Sequence, residues 1–235
     1  MLSLSHIQVT AGDKRIIHDF SHQFKQRKIY AIMGPNGSGK STLVQAIIGN
    51  PLYSLSAQSS LIFNEKILNK LSPDKRSQLG IGVTFQSPPS LNGISVFQLL
   101  RLALRDKDVV ELYDTIEKIA KELKIKKELL ERPLNEGASG GERKKLEVLQ
   151  MAILHPSLIF FDEIDTGVDV DSLKTIFSFL KKYKKDKTYV FITHYSEIFS
   201  YLKADEILII KEGKLASRGG MEMIQVINTK GYETF

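Results

Sequence analysis

Gly34-Pro35-Asn36-Gly37-Ser38-Gly39-Lys40-Ser41-Thr42 lies between an apolar run, Ile29-Tyr30-Ala31-Ile32-Met33, and a helical pattern at Leu43, Val44, Ala46, Ile47 and Ile48. Strand, glycine-rich turn and helix form the context in which G-x-x-x-x-G-K-[ST] cradles a polyphosphate. The glycines let successive backbone N–H groups turn inward around the anion, where β-carbons would obstruct them. The new helix aims its positive end at the same charge. Lys40 is expected to reach the β- and γ-phosphates, and the Ser41 hydroxyl to sit on Mg2+. The stretch from Gly34 to Thr42 is therefore read as the binding loop for a nucleoside triphosphate.

Working outward, the 235 residues are enough for one large hydrophobic core or a core with an inserted subdomain. Hydrophobic residues make up 42% and charged residues 26%, as in ordinary globular chains. No apolar run reaches the roughly 18–20 residues a membrane-spanning helix needs. Met1-Leu2-Ser3-Leu4-Ser5-His6 lacks the basic and apolar segments of a secretory signal. There is no cysteine, so disulfides and thiolate metal sites are excluded and a cytoplasmic address is expected. The net charge of +6 comes largely from lysines in stretches such as Lys121 to Lys127 and Lys181 to Lys187, read as solvated helix faces. No basic ribbon studded with aromatics is present to stack bases, so nucleic acid is not expected as a partner.

Taken in order, residues 2–24 alternate apolar and polar about a Gly12-Asp13 turn and predict an antiparallel hairpin. After the phosphate loop and its helix come a short β segment at Ser60 to Phe63 and a helix opened by Ser72-Pro73. Gly82 to Gln86 reads as a buried strand ending in the glutamine, followed by a Pro88-Pro89 loop. From Ser95 to about Leu130 the pattern is helical, and Arg132-Pro133 closes it. Ser139-Gly140-Gly141-Glu142 opens another helix. Leu158 to Phe161 and Tyr189 to Ile192 are too short for helices and read as buried parallel strands, with a helix from Asp169 to about Lys184 between them. A final β pair, Ile207 to Ile210 with Lys214 to Ala216, precedes a short helix from Met221.

Three predicted strands end in polar residues: Gln86, the pair Asp162-Glu163, and His194. In an open parallel sheet, ligands sit beyond the carboxyl ends of the strands, where the phosphate loop also lies. Asp162 is expected to hold Mg2+ beside Ser41, and Glu163 to polarise the attacking water. Gln86 can contact both the ion and that water, and His194 can hydrogen-bond the γ-phosphate. Ser139-Gly140-Gly141 at a helix start is a second anion site by the same dipole argument. A head-to-tail dimer would use both, the phosphate loop of one subunit facing the Ser-Gly-Gly helix of the other.

With these residues in hand, the chain resembles the ABC-type ATPase family along its length. Gly34 to Thr42 is similar to Walker A, Gln86 to the Q-loop, and Ser139-Gly140-Gly141-Glu142 to the signature. Leu158 to Glu163 is similar to Walker B, Thr166 to Asp169 to the D-loop, and His194 to the H-loop. Within that family it most resembles the SufC group, through Asn135 to Lys145, Asp162 to Asp171, Ile192 to Tyr195, Asn92 to Ser95 and Gly231-Tyr232. Ala138 departs from the phenylalanine usual in that group, the insertion between Gln86 and Ser139 is short, and no aromatic stands near Ile16 to stack adenine. The resemblance implies an α/β P-loop NTPase with a RecA-like parallel sheet core, an antiparallel β subdomain and an inserted α-helical subdomain. It implies one ABC ATPase domain over residues 1–235, with 1–88 and 156–235 as nucleotide-binding core and 89–155 as the helical part. It further implies Mg-dependent ATP hydrolysis, catalysed by Glu163 with His194 and Gln86. The ion would be held by Ser41, Gln86 and Asp162, and Ser139 to Glu142 would join the loop in binding nucleotide. The partners implied are SufB- and SufD-like scaffold proteins in iron–sulfur cluster assembly, docked along Ser87 to Arg105. The other function implied is the ATPase subunit of an ABC membrane transporter.

Overall fold

In a computed structural model that describes all 235 residues, Leu2–Ala11 (β1) and Lys14–Phe24 (β2) form the expected hairpin, paired from Leu2↔Phe24 to Ala11↔Lys14. Period-two alternation turns Leu2 and Leu4 inward, and an irregularity at His6, whose φ is 50°, shifts the phase by one residue so that Ile7 and Val9 also face inward. Ile29–Met33 (β3) is buried at every residue and leads through the glycine loop into Lys40–Ile48 (α1). Ser54–Leu55 (β4) and Ser60–Phe63 (β5) pair with β1, and Lys66–Ile67 (β6) with β5. Pro73–Gln78 (α2) carries the buried Arg76, whose guanidinium donates to the Ala46 and Ile47 carbonyls at 2.9 and 2.7 Å. Those carbonyls lie in the last turn of α1, where backbone acceptors lack helical partners.

Ile81–Thr84 (β7) ends two residues short of Gln86, which stands in the loop beyond the strand rather than at its end. The segment expected to be helical from Ser95 to Leu130 is more broken. Leu91–Ser95 (β8) precedes Val96–Ala103 (α3), Val109–Glu122 (α4) and Glu128–Glu131 (α5), and β8 pairs with Pro133–Leu134 (β9). Ser95 and Gln98 form a capping box, so the strand stops and the helix starts at one residue. Gly140–Leu154 (α6), Leu158–Asp162 (β10), Val170–Tyr183 (α7) and Thr188–Ile192 (β11) follow the sequence pattern closely. Glu206–Lys211 (β12), Lys214–Gly219 (β13) and Glu222–Lys230 (α8) complete the chain.

β7, β10, β11, β3 and β12 are hydrogen-bonded in that order and all parallel. β13 runs antiparallel to β12 and joins the core to the β1–β2 hairpin through Lys214↔Asp19, so the antiparallel part continues the same sheet. A core of 36 residues fills one face, where Ile29, Ala31, Met33, Phe161 and Phe191 meet the helices α3, α4, α6 and α7. A second, of 23 residues, fills the other, where Tyr30, Ile32, Phe160 and Val190 meet α1 and the hairpin. Covering both faces is what a parallel sheet requires. No helix is long and apolar enough to cross a membrane. One lysine departs from the solvated-face reading: Lys187 is buried and donates to the Pro156 carbonyl at 3.1 Å, fastening the β10 entry.

A β-carbon on Gly140 would lie 2.3 Å from the Gly167 carbonyl oxygen, so α6 and the loop after β10 touch backbone to backbone. Gly140→Ala is expected to destabilise by about 1–3 kcal/mol, visible as a lower thermal midpoint, because backbone rather than a flexible side chain must move. His22 is buried against Phe24 and Tyr30, with ring centroids at 4.6 and 5.6 Å, and neither ring nitrogen has a hydrogen-bond partner. Burial, helped by the charge of Arg218, lowers its pKa to about 4. A folded-state pKa below the unfolded one means full stability above about pH 6.5, lost as pH falls toward 4, by up to about 3 kcal/mol. In denaturant titrations at stepped pH, His22→Phe is expected to remove that acid-side loss relative to the parent.

Candidate functional site

The phosphate loop leaves β3 at Gly34, whose φ is 151° and whose absent β-carbon would sit 2.0 Å from the Ile210 carbonyl oxygen. Only glycine fits there, so β12 sets how closely the loop is drawn onto the sheet. Gly39 takes the left-handed conformation at the start of α1 and directs Lys40 back into the loop. Lys40 is buried, and its ammonium donates to the Gly34 and Pro35 carbonyls, both at 2.9 Å. Burial lowers its pKa, with Glu163 and Asp162 opposing. The Ser38 hydroxyl is buried without a hydrogen-bond partner. A cleft of about 440 Å3 opens beside the loop, lined by Arg15, Ile16, Gly37, Lys40, Ser41 and Thr42, with Ile16 its only hydrophobic residue.

The Ser41 hydroxyl donates to Asp162 Oδ1 at 3.0 Å, closing α1 onto the end of β10. Asp162 is buried, which holds its carboxyl above the usual carboxylate range. Glu163 follows with φ 48°, a left-handed conformation rare outside glycine, and its N–H donates to the Ile192 carbonyl at 2.9 Å. That turn swings its carboxylate toward the neighbouring loops. Glu163 Oε2 accepts from the Gln86 side-chain amide at 2.7 Å and from the Thr166 hydroxyl at 3.3 Å, and Oε1 lies 3.6 Å from His194 Nδ1. Gln86, Glu163 and His194 are thus brought together, as are Ser41 and Asp162.

The Thr193 hydroxyl donates to Asp165 Oδ2 at 2.8 Å and accepts the Tyr195 N–H at 2.9 Å, fixing the turn that presents His194. The Asp165 carboxyl is raised by burial. Asp165 and Thr166 join the site only once the strands are paired. Thr166 belongs to a stretch similar to the D-loop, and Asp165 gives no signal until β10 and β11 are paired.

Ser139 caps α6 reciprocally: its Oγ accepts the Glu142 N–H at 3.3 Å, while Glu142 Oε2 accepts the Ser139 N–H at 2.9 Å. Glu142, grouped with the nucleotide-binding residues on sequence, here satisfies its own helix start, and the Ser139 N–H holds its carboxyl below the ordinary range. Gly140 remains exposed beside it and Gly141 is buried. Two further residues of α6, Lys144 and Glu147, contact the main chain of Phe85 and Gln86. At i,i+3 on a charged helix start they carry no sequence signal beyond a surface pair.

The loop and its surroundings fit a nucleoside triphosphate, having inward-turned glycines, a buried lysine and a partnerless Ser38 hydroxyl. They also fit Mg2+, which takes hard oxygen donors and usually only one or two protein ligands, the rest being waters and phosphates. Ser41 and Asp162 supply that kind of pair, and no group of three or more His, Asp or Glu is arranged to hold a metal ion by itself.

The family described as ABC transporter matches residues 17–166. The chain is 36% identical over 245 residues to a probable ATP-dependent transporter of Synechocystis sp., covering 99% of this chain and 94% of that one. It is 35% identical over 243 residues to the probable ATP-dependent transporter SufC of Escherichia coli, covering 99% and 97%. Among solved structures, a nucleotide-free ATP-binding cassette from an ABC transporter superposes with a TM-score of 0.79 at 26% identity, covering 98% and 95%. The dimeric cassette MJ0796 bound to ADP and Pi shares the fold with a TM-score of 0.81 at 20% identity, covering 94% and 99%. The chain therefore belongs to the ABC family of ATPases, and it binds and hydrolyses ATP.

Proposed function

We propose that this chain is the ATP-hydrolysing subunit that drives conformational change in a SufB–SufD-like scaffold during iron–sulfur cluster assembly. The observation that carries the hydrolytic part is the contact set on Glu163, a carboxylate held by Gln86, Thr166 and His194 within the reach of the phosphate loop. In this reading the N–H groups from Gly34 to Thr42 hold the triphosphate, and Lys40 exchanges its loop carbonyls for phosphate oxygens. Ser41, Asp162 and Gln86 hold Mg2+, which when bound neutralises charge on the phosphates. Glu163 takes the proton of the attacking water, Gln86 orients that water, and the His194 imidazole hydrogen-bonds the γ-phosphate. Ser139, Gly140 and Gly141 complete the site of a second subunit in an ATP-dependent head-to-tail dimer, so a lone subunit hydrolyses slowly. Residues 1–88 and 156–235 act as the nucleotide-binding core, and 89–155 as a helical subdomain that moves against it.

The full-length likeness to a relative named SufC supports the assembly role over other soluble ATPase roles. A cleft of about 540 Å3 lies within the segment expected to dock a partner, lined by Gly93, Ile94, Gln98, Arg101, Leu102 and Arg105, with Leu102 56% exposed. An apolar side chain left that open on a basic rim suits a partner surface. A cytoplasmic setting accompanies this reading. The second reading, a motor for a membrane permease docked in the same cleft, is favoured by the transporter names that relatives carry.

Glu163→Gln is expected to keep ATP binding, lower hydrolysis roughly 100- to 10,000-fold, and accumulate an ATP-bound dimer by light scattering. A parental rate in that variant would remove Glu163 as general base. Affinity capture of the tagged chain without detergent is expected to recover SufB- and SufD-like proteins, and Leu102→Asp to lose them while still binding ATP. Recovery only after membrane solubilisation, with a polytopic permease, would give the second reading.

A further inference from the structure

Phe85 and Gln86 lie beyond the last ladder position of β7, where Thr84 pairs with Phe161, so the sheet does not hold them. The Phe85 side chain is 40% exposed and anchors little. Their main chain is gripped from α6. Glu147 Oε1 accepts the Phe85 N–H at 2.7 Å, and the Lys144 ammonium donates to the Phe85 carbonyl and to the Gln86 carbonyl, the latter at 3.2 Å. Lys144 Nζ and Glu147 Oε2 stand 3.5 Å apart, with side chains only 3% and 8% exposed. A buried ion pair is an expensive way to hold a helix against a strand, since apolar residues of like size commonly do it as well or better. What apolar residues cannot do is bind three main-chain polar groups of two consecutive residues.

We infer that Lys144 and Glu147 are positioning residues for ATP hydrolysis, a clamp that fixes the Phe85–Gln86 backbone to the signature helix so that the Gln86 amide meets Glu163 only in one placement of that helix. The inference rests on the proposed role of Gln86 and Glu163. Its physical content is a rigid path. α6 begins at the Ser139-Gly140-Gly141 anion site, its second turn, Lys144 to Glu147, carries the clamp, the clamp holds the Gln86 main chain, and the Gln86 side chain donates to Glu163 at 2.7 Å. A displacement of α6 relative to β10 therefore moves the amide on the general base without any change at the phosphate loop. Partner binding on α3, which packs against α6, has the same lever available.

The test is a kinetic cycle on the full chain with MgATP. Glu147→Ala leaves Lys144 buried without its counter-charge, so a second variant, Lys144→Met with Glu147→Leu, removes both charges and keeps the packing. Both are expected to lower kcat about tenfold or more with KM within about twofold, since a lost charge-assisted hydrogen bond is worth that order. The double variant is expected to melt near the parent. In a Gln86→Ala background neither is expected to lower kcat further, because the clamp acts through that side chain. Amide hydrogen exchange in the peptide covering residues 81–90 is expected to rise about tenfold or more in both variants, independently of turnover. The same fold-loss with and without Gln86, or parental exchange in that peptide, would overturn the clamp while leaving the proposed site intact. A parental kcat for Gln86→Ala alone would overturn the proposed role of Gln86, and the clamp's effect on turnover with it.

Discussion

The parallel ladder in the middle of the sheet is the constraint on which everything else rests. Asp162 pairs with Ile192, and Ile192 with Ile32, so β10, β11 and β3 end on one line. Because side chains alternate faces, a slip of one residue in any of them would turn Asp162 or the His194 turn to the wrong side. The ladder rather than any single contact puts the Ser41 hydroxyl 3.0 Å from Asp162, and lets the Glu163 N–H close onto the Ile192 carbonyl at 2.9 Å. Both sheet faces are packed by large cores, which makes that register costly to change.

Around this fixed line the helices are attached by polar contacts to main chain. Arg76 satisfies the end of α1, Lys187 fastens the entry to β10, and the Lys144–Glu147 pair reaches the loop after β7. Each joins segments far apart in sequence and leaves the apolar cores undisturbed. Gly140 adds the opposite device, a place where two backbones touch because no side chain intervenes. The start of α6 is thereby held against the loop that follows Glu163.

How much of this the sequence disclosed depends on whether the signal was local. The hairpin, the loop from Gly34 to Thr42, the start of α6 at Ser139 and the strand ending at Asp162 all declare themselves within about ten residues, through alternation, glycine placement and apolar runs. β8 and β9 do not, because Leu91–Ser95 and Pro133–Leu134 are short and their pairing spans the whole helical segment. Lys187 sits in a lysine run that reads as solvated, and only the partner carbonyl at Pro156 explains its burial. Lys144 and Glu147 look like an ordinary helix-surface pair until β7 is packed against α6. Among the site residues, Gln86, Asp162, Glu163 and His194 were legible because each follows an apolar strand. Asp165 was not, since its partner Thr193 belongs to the next strand's end.

The left-handed backbone at Glu163 carries a consequence for how such a chain changes under selection. A φ of 48° is unfavourable for a residue with a β-carbon and free for glycine. Selection for thermal endurance alone would therefore favour glycine at this position and erase the carboxylate that the proposed chemistry needs. Glutamate at this φ marks a position where folding stability and turnover oppose each other, and where a stabilised variant library would first reveal lost function.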